Sequence, residues 1–260
     1  GIVSSTSLMA NGKAYEEAIQ DINKFGLKNI GVHLTLTCDG FENTNKITYS
    51  SVAHAKSLED QNGVLYCSYR DLGNNASDED IINEIYAQLK KIEDDGVVFT
   101  HIDNHMYSVI PYLGFRGYKC FYKALFRLKL KRKIGFRHST KKYNLNDIRD
   151  VYPGRKIQLY AWAMNKYFNL HCPDFVSTIP YSSPLHESVK QKRELLHRYF
   201  CNIKKGVSEL HVHPAVLSEE LKIRNPTWLD RINEYEALKS FSKELLMDKY
   251  GIILISYSDI

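Results

Sequence analysis

The stretch Gly96-Val97-Val98-Phe99-Thr100-His101-Ile102-Asp103-Asn104-His105 decides how the chain is read. Its first half is a β-branched and aromatic run of the kind that fills a buried strand. Its second half turns polar while keeping a period of two. Just upstream, Ser77 stands at a helix N-cap position, and Ile81, Ile82, Ile85, Leu89 and Ile92 mark one apolar helix face that Gly96 ends. A helix handing over to a short buried strand, with histidines and a carboxylate at the far end, is one unit of a parallel α/β fold.

The unit repeats in both directions. Residues 3–8 read as a short strand, and residues 13–25 as a helix with Gly26 in left-handed cap position. Residues 30–36 read as a buried strand carrying His33. Downstream come a helix near 118–130, a strand near 134–136 and an irregular Lys/Tyr-rich insertion over 138–170. A helix near 187–200 then precedes a strand at 207–212, and a helix near 229–246 precedes a closing strand at 252–256. Residues 37–75 are rich in Asn, Ser and Gly with little periodicity, so they form a long excursion of the functional or mobile sort. The expected architecture is a single domain, residues 1–260, built on a parallel sheet, either barrel or open.

Composition bounds the rest. The 260 residues are 43% apolar and 25% charged, ordinary for a globular protein with one sizeable core. The five cysteines are scattered and form no C-x-x-C pair, which argues against a thiolate zinc site and for reduced thiols in the cytoplasm. No signal peptide and no apolar run of membrane-spanning length stand out, so no membrane partner is expected. The net charge of +5 is uneven, because no acid lies between Asp103 and Asp147 while eleven Lys and Arg residues do. That block, from Arg116 through Lys129, Lys131 and Arg132 to Lys142, reads as a solvated helix face followed by a basic loop. A polyanion-binding surface is the competing reading, but no nucleic-acid motif accompanies it and no nucleic acid is expected.

Three segments carry chemistry at strand ends: Gly31-Val32-His33-Leu34-Thr35-Leu36, His101-Ile102-Asp103-Asn104-His105, and Leu210-His211-Val212-His213-Pro214. His33 alone reads most simply as a buried, hydrogen-bonded histidine. His101, Asp103 and His105 at period two would share one side of an extended segment, where imidazoles and a carboxylate converge on a divalent ion or orient its ligands. Pro214 stops the ladder after His213 and fixes the backbone there. A histidine near its ordinary pKa at that position is suited to give a proton to a leaving amine.

These segments, together with the opening residues 1–12, Arg137 after its short strand, Cys172-Pro173-Asp174-Phe175 and the closing Gly251-Ile252-Ile253-Leu254-Ile255-Ser256-Tyr257, resemble the YdjC-like carbohydrate deacetylases, a group that includes the chitooligosaccharide deacetylases. The resemblance runs in order along the whole chain and is weakest over 40–75 and 138–170. It implies a distorted (β/α) barrel of the polysaccharide-deacetylase-like type and removal of acetyl groups from N-acetylated sugars. The cofactor implied is a divalent metal, Mg2+ first and Zn2+ as the alternative. It places metal ligands at His33 and His105, supporting roles at His101, Asp103 and Arg137, and the general acid at His213. The expected partner is an N-acetylated carbohydrate substrate, with a homodimer as an option. Tyr107 stands where the family usually has a further histidine. The resemblance also implies an Asn-Ala-Asp-Asp-Phe-Gly strand upstream of Gly1, whose aspartates supply a metal ligand and the general base. No Asp-Asp pair here replaces it, Asp94-Asp95 preceding its strand rather than following it, so the first barrel strand is expected to be missing. A non-catalytic sugar-binding relative is the alternative reading.

Overall fold

The computed structural model describes residues 1–39, 47–110, 112–142, 149–150, 152–181 and 186–260. Asp147, which closes the acid-free stretch, and residues 40–46 of the long excursion lie outside them. A five-stranded parallel sheet is built from β1 (Thr6–Leu8), β2 (Ile30–Leu34), β3 (His101–Asn104), β4 (Ile134–Phe136) and, at the far edge, the two-residue strand Leu170–His171. The helices α1 (Tyr15–Phe25), α2 (Tyr69–Asn75), α3 (Asp78–Asp94), α4 (Gly114–Leu128) and α5 (Arg155–Phe168) come between or after these strands. Arg149–Asp150 forms β5, so Leu170–His171 is β6 in chain order. β7 (Phe175–Thr178) pairs antiparallel with β5 and parallel with β8 (Ser208–His211), making a second, three-stranded sheet.

Strand alternation explains the division of labour in the first sheet. Val32, Leu34, Ile102, Ile134 and Phe136 point to one face, are almost wholly buried and join the apolar faces of α3 and α4 in one core. Phe121 of α4 lies flat against Phe136, with ring centroids 4.7 Å apart. Ser7, Gly31, His33, His101, Asp103, Gly135 and Arg137 alternate with those residues and point to the opposite face, which is polar. The register places Gly31 beside His101 beside Gly135, and His33 beside Asp103. The second core lies under β7 and β8, where Phe175 meets Leu195, Leu196 and Tyr199 of α6 (Val189–Asn202), Ala237 of α8 (Trp228–Leu238) and Leu246 of α9 (Lys243–Tyr250). The short helix α7 (Glu219–Arg224) precedes α8.

Two buried side chains of α3 anchor the excursion. Gln88 donates to the Thr35 carbonyl at 2.7 Å and accepts from the Thr35 amide at 2.9 Å, replacing a strand neighbour. Glu84 accepts from the Ser51 hydroxyl and from the amides of Val52 and Ala53 at 2.5, 3.0 and 2.8 Å. These bonds satisfy loop amides that would otherwise be buried without partners.

Several expectations need correction. The 138–170 insertion contains α5, which begins after Gly154 with no side-chain cap and carries no acid, so the usual N-terminal signals are missing. The helix near 229–246 is two helices, because Ser242 caps α9 by accepting from the Leu245 amide. The sequence reading also passed over α2, α7 and β7. The strand through Val97 starts its ladder only at His101, and residues 252–256 join no ladder among the described residues. The strands form two sheets rather than one closed hydrogen-bonded ring among those residues. No helix of the described residues is long and apolar enough to cross a membrane.

The polar face depends on two glycines. The His101 ring stacks on Tyr257 with centroids 4.3 Å apart, and a methyl group on Gly31 would overlap the His101 ring. A methyl group on Gly135 would overlap Tyr257 and come within 3.0 Å of His101 Cβ. Gly135→Ala is therefore expected to lower stability by about 1–3 kcal/mol, read as a reduced urea midpoint at unchanged slope.

Candidate active site

The polar face of the first sheet converges on Asp103, whose side chain is wholly inaccessible to solvent. Oδ1 of Asp103 lies 2.7 Å from His33 Nδ1. Oδ2 accepts from Ser7 Oγ at 3.0 Å and pairs with Arg137 Nη1 at 2.6 Å. Burial alone would raise the Asp103 pKa, but the Arg137 charge and the His33 contact outweigh it and hold the carboxyl well below the usual range. Arg137 also reaches the second sheet, with Nε donating to Glu209 Oε1 at 2.7 Å. The Tyr257 hydroxyl donates to the other Glu209 oxygen. One guanidinium thus joins β3, β4 and β8 and reaches the carboxyl-terminal segment.

A carboxylate against Nδ1 fixes the His33 tautomer: Nδ1 carries the hydrogen and Nε2 keeps its lone pair. His105 stands 5.5 Å from His33, ring edge to ring face. It does not extend β3 as the period-two reading expects. It opens a one-turn 3-10 helix, His105–Tyr107, in which Met106 and Tyr107 both take left-handed backbone angles, φ 47° and 60°. Such conformations cost a non-glycine residue of order 1–3 kcal/mol and persist only when surroundings impose them. Here Ser108 Oγ donates to the His105 carbonyl, Asn104 Oδ1 accepts from the amides of Val109 and Ile110, and the Tyr69 hydroxyl donates to the Met106 carbonyl. The turn also sends the Tyr107 hydroxyl to within 3.1 Å of His211 Nε2.

Asp39, which the sequence reading did not single out, lies 2.7 Å from His105 Nε2 and accepts from the Tyr49 hydroxyl at 3.2 Å. The His105 contact is close but off the N–H direction, so this buried nitrogen has no directed hydrogen bond. Burial pulls the His105 pKa down against the pull of Asp39. His101 is likewise lowered by burial and lies against Tyr257 rather than beside His105. Among the described residues, no group of three or more His, Cys, Asp or Glu side chains is arranged to hold a metal ion.

The third segment faces these from the second sheet. His213 follows β8, and its amide donates to Glu234 Oε1 of α8 at 2.6 Å. Its Nδ1 is buried without a hydrogen-bond partner. The sequence reading takes this ring near its ordinary pKa. Burial, with Arg231 and other positive neighbours, instead pushes it down to about 3, so it is neutral at neutral pH. Glu234 is wholly buried, and burial pushes its carboxyl up to about 7 against the His213 amide, Lys192 and Arg231. His33, His101, Arg137, Glu209, His213 and Arg231 all line one cleft of about 480 Å3 between the two sheets.

Glu209 had a legible signal, since Glu209, His211 and His213 alternate along one strand face. Ser7 and Tyr257 lie inside the opening and closing motifs. Asp39, Arg231 and Glu234 sit in segments with no comparable pattern.

A family model described as YdjC-like protein matches residues 1–246. The chain belongs to the YdjC-like family. Curated relatives named carbohydrate deacetylase from Listeria monocytogenes (serotype 4b, strain F2365) and Clostridium beijerinckii are each 24% identical to it, over all of this chain and 89% of their own length. One of the same name from Halalkalibacterium halodurans is 24% identical over 92% of this chain and 84% of its own. The crystal structure of a candidate cellobiose-phosphate cleavage protein from Enterococcus faecalis V583 superposes with a TM-score of 0.73 at 20% identity, covering 100% of this chain and 88% of that one. At that identity the likeness concerns the fold alone.

Glu234 gives this YdjC-like site a measurable pH signature. With its pKa raised from 4.5 to about 7, the folded protein keeps a proton that the unfolded chain loses between those values. Its contribution to stability therefore falls as pH rises through that window. The stability of Glu234→Gln relative to the natural protein should rise by on the order of 3 kcal/mol across it. Urea unfolding of both proteins over roughly pH 4–8 checks this. The difference is the readout, because the buried histidines titrate with opposite sign.

Proposed function

We propose that the protein is a metal-dependent hydrolase that removes acetyl groups from N-acetylated sugars, chitooligosaccharides or related glycans. The observation that carries this reading is the His33–His105 pair, one ring in the cleft wall and oriented by buried Asp103, the other placed beside Asp39 on a strained turn. The names of the curated relatives support the same chemistry.

A divalent ion, Mg2+ or alternatively Zn2+, fits this pair as two of its ligands. His33 Nε2 has its lone pair free because Nδ1 carries the hydrogen that it donates to Asp103, and His105 Nε2 is buried without a directed hydrogen bond. No third ligand joins them among the described residues. Lewis-acid polarisation of the acetyl carbonyl is the chemistry that such an ion would supply.

The chain's own residues supply the proton handling. His213 lines the cleft and starts neutral, so the ring can accept a proton from the attacking water. The water oxygen bonds to the acetyl carbon, the C–N bond breaks, and the same ring returns the proton to the departing amine, leaving the free amino sugar and acetic acid, which loses its proton to solvent. Glu234 holds the His213 backbone, and Arg137 holds Asp103 and hence the His33 ring. The proposed barrel geometry rests on β1 and β8 flanking one cleft although they belong to different sheets.

The absence of a three-ligand cluster among the described residues favours one second reading, a sugar-binding relative without turnover. Acetate release from N-acetylated chitooligosaccharides separates the two. Release should fall with chelator and return with Mg2+. His33→Ala and His105→Ala should abolish it, and His213→Ala should cut it by about 10²–10⁴-fold. Retained release in either ligand variant at unchanged metal content sinks the ligand assignment. Sugar binding by calorimetry with no acetate from the natural protein favours the second reading.

A further inference from the structure

The long excursion between β2 and α3 comes back to His105 more than once. Asp39 lies 2.7 Å from His105 Nε2, and the Tyr49 ring stands edge-on to the His105 ring with centroids 5.8 Å apart. Both contacts belong to the site already described. Tyr69 is different. It is the first residue of α2, capped by Ser68, and its hydroxyl donates to the Met106 carbonyl at 2.5 Å. Burial, then Tyr112, Tyr107 and Asp39, push that hydroxyl well above its ordinary pKa. The ring is thus within electrostatic reach of the carboxylate beside His105, yet it has no part in the reaction.

Tyr69 carries a second ring. Tyr112 lies parallel to it, with 9° between the planes and centroids 3.6 Å apart. Ring pairs left to themselves prefer offset or edge-on arrangements with centroids about 4.5–7 Å apart. Two backbone anchors impose the closer stack. The Tyr69 hydroxyl holds the Met106 carbonyl, and the Tyr112 amide donates to the Tyr107 carbonyl at 3.1 Å. Met106 and Tyr107 are the two residues of positive φ that seat His105. One turn therefore fixes both the His105 ring and the Tyr112 ring. Tyr69 covers one face of Tyr112, yet 58% of the Tyr112 surface remains exposed, so the opposite face is open. A lone exposed ring is ordinary on a protein surface, but one clamped flat beside a strained turn has an imposed orientation.

We propose that Tyr112, backed by Tyr69, is a stacking platform for a pyranose unit of the glycan other than the one that loses its acetyl group. The proposal rests on the deacetylase reading for its substrate. In N-acetylglucosamine-type units the ring substituents lie outward, so each face presents C–H bonds and little else. A flat aromatic face covers that surface, and the hydroxyl at its rim meets the sugar's own hydroxyls. Because the Tyr112 ring is already fixed, little rotamer freedom is lost on binding. Neither ring lines the cleft between the sheets, so the platform extends recognition past the cleft wall to a further unit of an oligosaccharide. A second copy of the chain would need far more apolar area than one ring face supplies.

Calorimetry on the full chain tests this, with chelator to hold turnover back and with Mg2+ in the His213→Ala variant. Tyr112→Ala should weaken binding of N-acetylated chitotetraose about tenfold and leave N-acetylglucosamine unchanged, whereas Tyr112→Trp should keep both affinities. The circular dichroism spectrum and urea midpoint of Tyr112→Ala should match those of the natural protein, because the ring is exposed. Equal tetraose affinity with and without the Tyr112 ring overturns the proposal, as does tetraose binding to neither protein. An equal loss for the monosaccharide also overturns it, by setting the ring against the reacting unit. So does a smaller sedimentation coefficient for Tyr112→Ala with sugar affinity intact, which assigns the ring to self-association. Tyr112-dependent tetraose binding without acetate release from the natural protein upholds the platform and sinks the deacetylase reading.

Discussion

A single buried carboxylate sets most of the geometry around the cleft. Asp103 takes donors from β1, β2 and β4 while sitting on β3, so four adjacent strands are linked through one side chain. An ionised group without solvent costs several kcal/mol, and only complete satisfaction offsets that cost. Three donors and one full positive charge supply it. Arg137 is then committed to Asp103 on one side and to Glu209 on the other, which ties the second sheet and, through Tyr257, the carboxyl-terminal segment to the same centre. Removing any member leaves a buried charge unmatched. Hydrophobic replacements would pack, but they would not fix strand register and ring orientation together.

The histidines inherit their states from this network. His33 has a defined tautomer because Asp103 accepts at Nδ1. His105 owes its position to a turn that two non-glycine residues enter with positive φ, held by Asn104, Ser108 and Tyr69. Burial lowers the pKa of His101, His105, His211 and His213. The imidazoles are thus kept neutral, the form in which they can accept a proton or donate a lone pair.

How much of this could be read from residues alone follows from the range of each interaction. The alternation of β2 to β4, the Ser77 cap and the left-handed glycine at 26 are local, and the structure has them where the pattern places them. The pairing of His33 with Asp103 needs strand register, which periodicity constrains only to a face. Asp39 and Glu234 are brought in by an aperiodic loop and by a helix 130 positions after β3, so no spacing could nominate them. α5 escaped because its first turn is basic and its N-cap is glycine, the reverse of the usual signals. The pKa of His213 is also out of reach, since it depends on burial in the fold and on Arg231 from another element.

The same arrangement bears on how a neutral amide could be told from its reacting form. On the proposed reading an N-acetylated sugar would bring no charge into the cleft, whereas attack of water on the acetyl carbon would develop negative charge on its oxygen. Arg137 and Arg231 both line the cleft; Arg137 is held by Asp103 under the strands and by Glu209 in the cleft wall. In the proposed reaction the Arg137 guanidinium, fixed by Asp103 and Glu209, would face the same cleft as the developing oxyanion. Groups held in this way need not reorganise as the charge appears, and in a water-poor cleft they act on the transition state more than on the substrate. The buried network that holds the two sheets together would thus also fix a charged group at the place where the proposed chemistry occurs.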